Sequence, residues 1–88
     1  MIAACNAKPM RAADRERCYH DVDTLYVRPF YPFPDLWDTM WQKRIAIADE
    51  FDRGMITGEQ AKAQIAQAND DAYAAGMNRI AVHHIMNE

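Results

Sequence analysis

The feature that most restricts how this chain folds is a seven-residue stretch, Gly54-Met55-Ile56-Thr57-Gly58-Glu59-Gln60, set between two long helix-patterned segments. Gly54 can take the left-handed backbone that ends a helix. Thr57 then has the chemistry of an N-cap, with Gln60 three residues on to return a bond to the Thr57 backbone. A stop and a restart this close together make the flanking helices antiparallel neighbours. The expected fold is therefore all-α, an antiparallel helical hairpin spanning residues 35–88, with helices over about 35–53 and 58–86.

Periodicity supports both arms of that hairpin. At 100° per residue, Leu36, Trp37, Met40, Trp41, Ile45, Ile47, Ala48, Phe51 and Met55 share about half the circumference of the first helix. Asp38, Gln42, Lys43, Asp49, Glu50 and Arg53 take the other half. Arg44 breaks the pattern by pointing into the apolar arc. Its expected place is along Trp41 or against an aromatic of residues 24–34, in preference to a buried ion pair. On the second helix Ala61, Ile65, Ala68, Ala72, Ala75 and Gly76 form a stripe of small residues, against which a neighbouring helix can pack closely. The chain has fifteen alanines, so its hydrophobic fraction of 50% overstates the large side chains available for a core. The second helix, about 43 Å long, outreaches the first, at about 28 Å. Its last turns, with Met77, Ile80, Val82, Ile85 and Met86, need a cover.

Residues 1–34 read as an N-terminal arm or tether with a short helix from about Ala12 to Tyr19. Residues 24–34, TLYVRPFYPFP, hold three prolines and four aromatics. Pro29, Pro32 and Pro34 push their preceding residues towards extended backbone, so this strip is expected as an extended aromatic strap. It either lies across the chain's own helices or docks a partner. The expected interaction surface combines Tyr26, Phe30, Tyr31 and Phe33 from this strip with Met77, Ile80 and Ile85 from the overhang.

Charge and composition exclude several functions. Net charge is −3, divided between +1 over residues 1–34 and −4 over residues 35–88. No basic stripe is present, so duplex nucleic acid, which is bound by neutralising phosphates, is not an expected partner. The chain contains no serine and offers a small hairpin little room for a pocket, so no nucleophilic triad and no enzyme activity is expected. Asp49 to Gln60 traces an EF-hand outline, but Phe51, Arg53 and Gln60 stand where calcium ligands belong. His83 and His84 are adjacent and diverge by about 100° on a helix, which is wrong for a shared metal. No metal site and no cofactor is expected.

Cys5 and Cys18, thirteen residues apart, fit no zinc spacing, and two cysteines are too few for a disulfide scaffold. They can form one bridge in an oxidising compartment.

Three short stretches resemble known families. Ile2-Ala3-Ala4-Cys5 resembles the lipobox of bacterial lipoproteins, which implies lipid attachment at Cys5 and a location on the bacterial cell envelope or its periplasmic side. Only Met1 precedes it, so the resemblance also implies a true start upstream. Ile56-Thr57-Gly58-Glu59-Gln60 is similar to the LTxxQ motif of periplasmic helical proteins of the CpxP/Spy type, here in a single copy with Ile for Leu. Gly54-Met55-Ile56-Thr57 followed by Glu59 looks like the turn of the SHOCT oligomerisation domain. Together these imply a non-catalytic envelope interaction or structural protein, lipid-anchored through Cys5, with a protein partner or self-association. The alternatives are a periplasmic stress or metal-response hairpin protein and a cytosolic regulatory or phage-type accessory subunit.

Overall fold

The computed structural model describes residues 2–86, which form an all-α fold with no strand among the described residues. Helix α1 covers Ile2–Asn6, α2 Ala12–Tyr26, α3 Pro34–Asp52 and α4 Gly58–Met86, with a 3-10 turn at Arg28–Phe30.

The connection from α3 to α4 is built as its residues dictate. Gly54 has φ +75°, and its N–H donates to the Phe51 carbonyl while the Met55 N–H reaches back to Glu50. These paired bonds satisfy carbonyls that the end of α3 would otherwise leave open. Three residues later the Gln60 N–H donates to Thr57 Oγ1 at 3.1 Å, and the Thr57 N–H donates to Gln60 Oε1 at 2.8 Å. The capping box closes both ways.

Contacts between α3 and α4 run in opposite order along the two helices. Phe51 faces Gly58 near the turn, Arg44 bonds Asn69 further on, and Asp35 pairs with Arg79 at the far end. The small-residue stripe lies inward: Ala61, Ala68 and Gly76 are buried, and Ile65, Ala72 and Ala75 are half-buried. The helix continues without a break through Gly76. Every residue from Met77 to Met86 is exposed.

The N-terminal third differs from the sequence expectation. The short helix expected at Ala12 to Tyr19 extends to Tyr26, and the strip expected as extended carries a 3-10 turn in its middle. Pro29 sits in the first turn of that 3-10 segment, where a missing N–H costs nothing. What overrides local preference is packing against α3. His20 stacks on Trp41 with ring centroids 5.4 Å apart, Glu16 meets Arg44, and Arg28 meets Asp38. The start of α2 has no side-chain cap of its own, and Asp52 supplies one from the end of α3.

Helix α3 therefore lies in the middle, with α2 on one flank and α4 on the other, and the backbones of α2 and α4 scarcely approach each other. The result is a thin plate of 52 × 27 × 15 Å. Among the described residues the buried apolar ones are Cys5, Ala13, Trp41, Ala48, Ala61 and Ala68. Trp41 is the single large side chain among them. Trp37 meets it edge-on, and the Arg44 guanidinium lies 4.3 Å from its ring centroid.

Arg44 corrects the sequence reading in part. It stacks on Trp41 as expected, yet it also makes a partly buried ion pair. Nε donates to Glu16 Oε2 at 3.0 Å and Nη2 to Oε1 at 3.3 Å, between side chains only 18% and 12% exposed. A guanidinium can do both because its face is free for the ring while its edge donates.

Candidate interaction surface

The residues expected to form one interaction surface are divided by the fold. Tyr31, Phe33, Met77 and Ile80 come together as the lining of a groove of about 150 Å³, which Tyr73 and Gly76 complete. Tyr26 and Phe30 lie outside this groove, and Phe30 is 85% exposed. Ile85 is exposed on the last turn of α4. Sequence reasoning missed Tyr73, although its spacing to Met77 and Ile80 (i, i+4, i+7) is the signal that would have found it.

Phe33 forms the floor of the groove and is fixed from two sides. On one side is Gly76: a Cβ built there would lie 3.4 Å from the Phe33 ring, an ordinary contact distance, so the ring rests on the α4 backbone with room for a methyl group but for little more. On the other side, the Arg79 guanidinium sits 5.4 Å from the ring centroid. Arg79 is itself held by Asp35, donating from Nη1 to Oδ1 at 2.8 Å and from Nη2 to Oδ2 at 2.6 Å. The hydrogen bonds from Arg79 hold the Asp35 carboxyl below its ordinary pKa and raise that of the guanidinium. Asp35 also stands in the first turn of α3, where negative charge is favoured.

A parallel pair fixes the strip on the other flank. Arg28 donates from Nε and Nη2 to the two carboxylate oxygens of Asp38, both at 3.0 Å. Those bonds lower the Asp38 pKa and raise that of Arg28. Tyr31 packs on Trp37 with ring centroids 5.1 Å apart. Residues 28–33 are thus pinned at both ends, to α3 by Arg28 and to α4 by Phe33. A second cavity, lined by Phe33, Arg79, Ile80 and His83, continues the apolar surface towards the end of α4.

Cys5 is bonded to Cys18, with Cα atoms 5.7 Å apart, and is fully buried. The disulfide ties α1 to α2, and Tyr19 Oη donates to Asn6 Oδ1 beside it. Lipid attachment would need the same Cys5 sulfur, so bridge and lipid are mutually exclusive on that atom. Two carboxylates of the EF-hand outline are otherwise engaged: Asp49 pairs with Arg53, and Asp52 caps α2. Among the described residues no three His, Cys, Asp or Glu side chains converge as a metal-ligand set. Among them, too, no helix is long and apolar enough to cross a membrane.

Comparison with protein-family models, curated proteins and solved structures finds no match for this chain.

Proposed function

We propose that this chain is a small, non-catalytic interaction protein of an oxidising cell-envelope compartment. Its scaffold is an antiparallel helical hairpin of residues 35–88, braced by residues 1–34. The observation that carries the reading is the groove in which Tyr31, Phe33, Tyr73, Met77 and Ile80 converge. Its walls carry large apolar side chains left open to water, Tyr73, Met77 and Ile80 each being about half exposed or more. Continuous exposed apolar surface rimmed by polar groups is a mark of interaction sites. The charged pair Arg79–Asp35 borders it at Phe33, as a polar rim borders the apolar centre of an interface.

The Cys5–Cys18 bridge supports the compartment, since structural disulfides persist where thiols are not kept reduced. The disulfide-bonded form is the one proposed. Lipid attachment at Cys5 is its competitor, and it would leave Cys18 as a free thiol.

Two measurements in the native host test this. A photo-crosslinking amino acid at Met77 is expected to give a protein adduct, and its failure to do so overturns the interaction reading. Intact-mass analysis without reductant is expected to show both cysteines oxidised. A diacylglycerol adduct would instead establish the anchored form. Two thiols that alkylate freely would favour the cytosolic accessory subunit.

A further inference from the structure

We infer that the occupant of this surface is a second copy of the same chain, bound through antiparallel pairing of the two α4 helices. The inference rests on the interaction reading above and goes further by naming the partner.

Three observations lead to it. First, the chain shows more surface than a finished monomer should. It exposes 6264 Å², where a folded monomer of its 10.1 kDa mass exposes about 5,300 Å². The excess of roughly 1,000 Å² is close to the roughly 800 Å² that each partner contributes to a standard interface. Its radius of gyration is likewise large, 15.0 Å against about 12 Å for a compact chain of this length. In a plate one helix thick the outer helices α2 and α4 each pack on α3 along one side, and a second layer is the ordinary way to complete such a core.

Second, the uncovered face of α4 has the spacing of a helix seam. Tyr73, Met77, Ile80 and His84 follow one another at intervals of four, three and four residues. That is the heptad spacing by which two helices interlock side chains. The seam leans away from the buried stripe of Ala61, Ala68 and Gly76, so α4 can pack on α3 and on another helix at once.

Third, the seam is complementary to itself when reversed. Asp70 stands at its N-terminal end and His84 at its C-terminal end. A two-fold axis between Met77 and Ile80 places Met77 of each copy against Ile80 of the other, and Tyr73 against His84. It also sets the two Asp70 carboxylates at opposite ends of the seam. Parallel pairing would set Asp70 against Asp70. A closed two-fold contact of this kind uses the same patch on both partners.

The test uses the full chain with its disulfide intact. Sedimentation equilibrium is expected to show a concentration-dependent dimer. Met77→Glu and Ile80→Glu are expected to weaken self-association by at least roughly 30-fold, with helicity unchanged by circular dichroism. Leu25→Glu, at an exposed position on α2, is the control and is expected to leave the dimer intact. A photo-crosslinker at position 73 is expected to label the partner's α4 near residue 84, and label at residue 73 itself would overturn the antiparallel arrangement. A monomer at every accessible concentration, or a dimer indifferent to both glutamates, overturns the inference. If a monomer still forms a crosslink from position 77 to another protein in the native host, the dimer fails while the interaction reading stands.

Discussion

The carboxylate of Asp52, at the last position of α3, accepts the backbone N–H of Ala13, in the first turn of α2, at 2.9 Å. Its other oxygen accepts the Ala12 N–H at the same distance. Helix α2 thus borrows its N-terminal cap from a residue some forty positions later in sequence. The arrangement serves two ends, because it satisfies open donors and clamps α2 to the end of α3 that precedes the turn.

Asp52→Ala removes that cap and is expected to cost about 1–2 kcal/mol of unfolding free energy, as for caps within a single helix. Denaturant melts of wild type and variant measure it. Asp52→Asn keeps an acceptor oxygen and is expected to lose less. If Asp52→Ala is as stable as wild type, the cap makes no net contribution to stability.

Arg44 and Glu16 make the least exposed ion pair among the described residues, with the Trp41 ring beneath the guanidinium. Glu16→Ala leaves a partly buried cation on the ring, while Arg44→Ala strands the carboxylate and uncovers Trp41. Each single variant is expected to lose about 2 kcal/mol, and a double-mutant cycle to give about 1 kcal/mol or more of coupling. Arg44→Lys is expected to recover little, because an ammonium cannot donate along an edge and stack by its face. Additive single effects would show that the pair makes no net contribution.

These two relationships also mark what was legible in the sequence. Gly54, Thr57 and Gln60 act through bonds within a few residues, so the α3–α4 turn could be read directly. The small-residue stripe on α4 was legible too, because helical periodicity puts it on one face whatever it meets. The length of α2 was not. Its last turns are held by Arg28–Asp38 and His20–Trp41, contacts between distant residues, and the proline-rich composition pointed the other way. The groove was half legible: exposed aromatics could be listed, but only the fold shows that Phe33 joins Met77 and Ile80 while Tyr26 and Phe30 do not.

Acid should loosen both anchors of the 28–38 segment. The folded pKa values of Asp35 and Asp38 lie below their ordinary value, each through hydrogen bonds from its arginine. The stabilisation is therefore fully present above the ordinary carboxylate range and is lost as pH falls through the depressed folded values. The melting temperature is expected to hold steady from neutral pH down to about pH 5 and to fall below about pH 4. Asp35→Asn and Asp38→Asn together should flatten that acid limb. An unchanged acid limb in the double variant would assign it to other carboxylates.

Reduction of Cys5–Cys18 releases α1 from α2. Closing a loop of this length is worth about 3 kcal/mol, mainly by restricting the unfolded chain. Thermal melts with and without reductant should differ accordingly, as should a Cys5→Ser, Cys18→Ser double variant. The amide protons of α4 are expected to exchange with the same protection relative to the global unfolding free energy, because the bridge does not touch that helix. Selective loss of protection in α4 would mean that α1 supports more of the fold than its contacts indicate.

Gly76 separates helix propensity from packing. A Cβ there lies at 3.4 Å from the Phe33 ring, an ordinary contact distance, and φ at this position is helical. Gly76→Ala is therefore expected to stabilise the protein by about 0.5–1 kcal/mol, the usual gain of alanine over glycine inside a helix. Gly76→Leu gains the same propensity but must push the ring off the α4 backbone, and with it the Arg79 guanidinium that lies over it. It is expected to be destabilising by about 1–3 kcal/mol, the range for overfilled sites. The Phe33→Ala background separates the two effects, since Gly76→Leu should be tolerated once the ring is gone. If leucine costs as much without the ring as with it, Gly76 is needed for a reason other than the seat it gives Phe33.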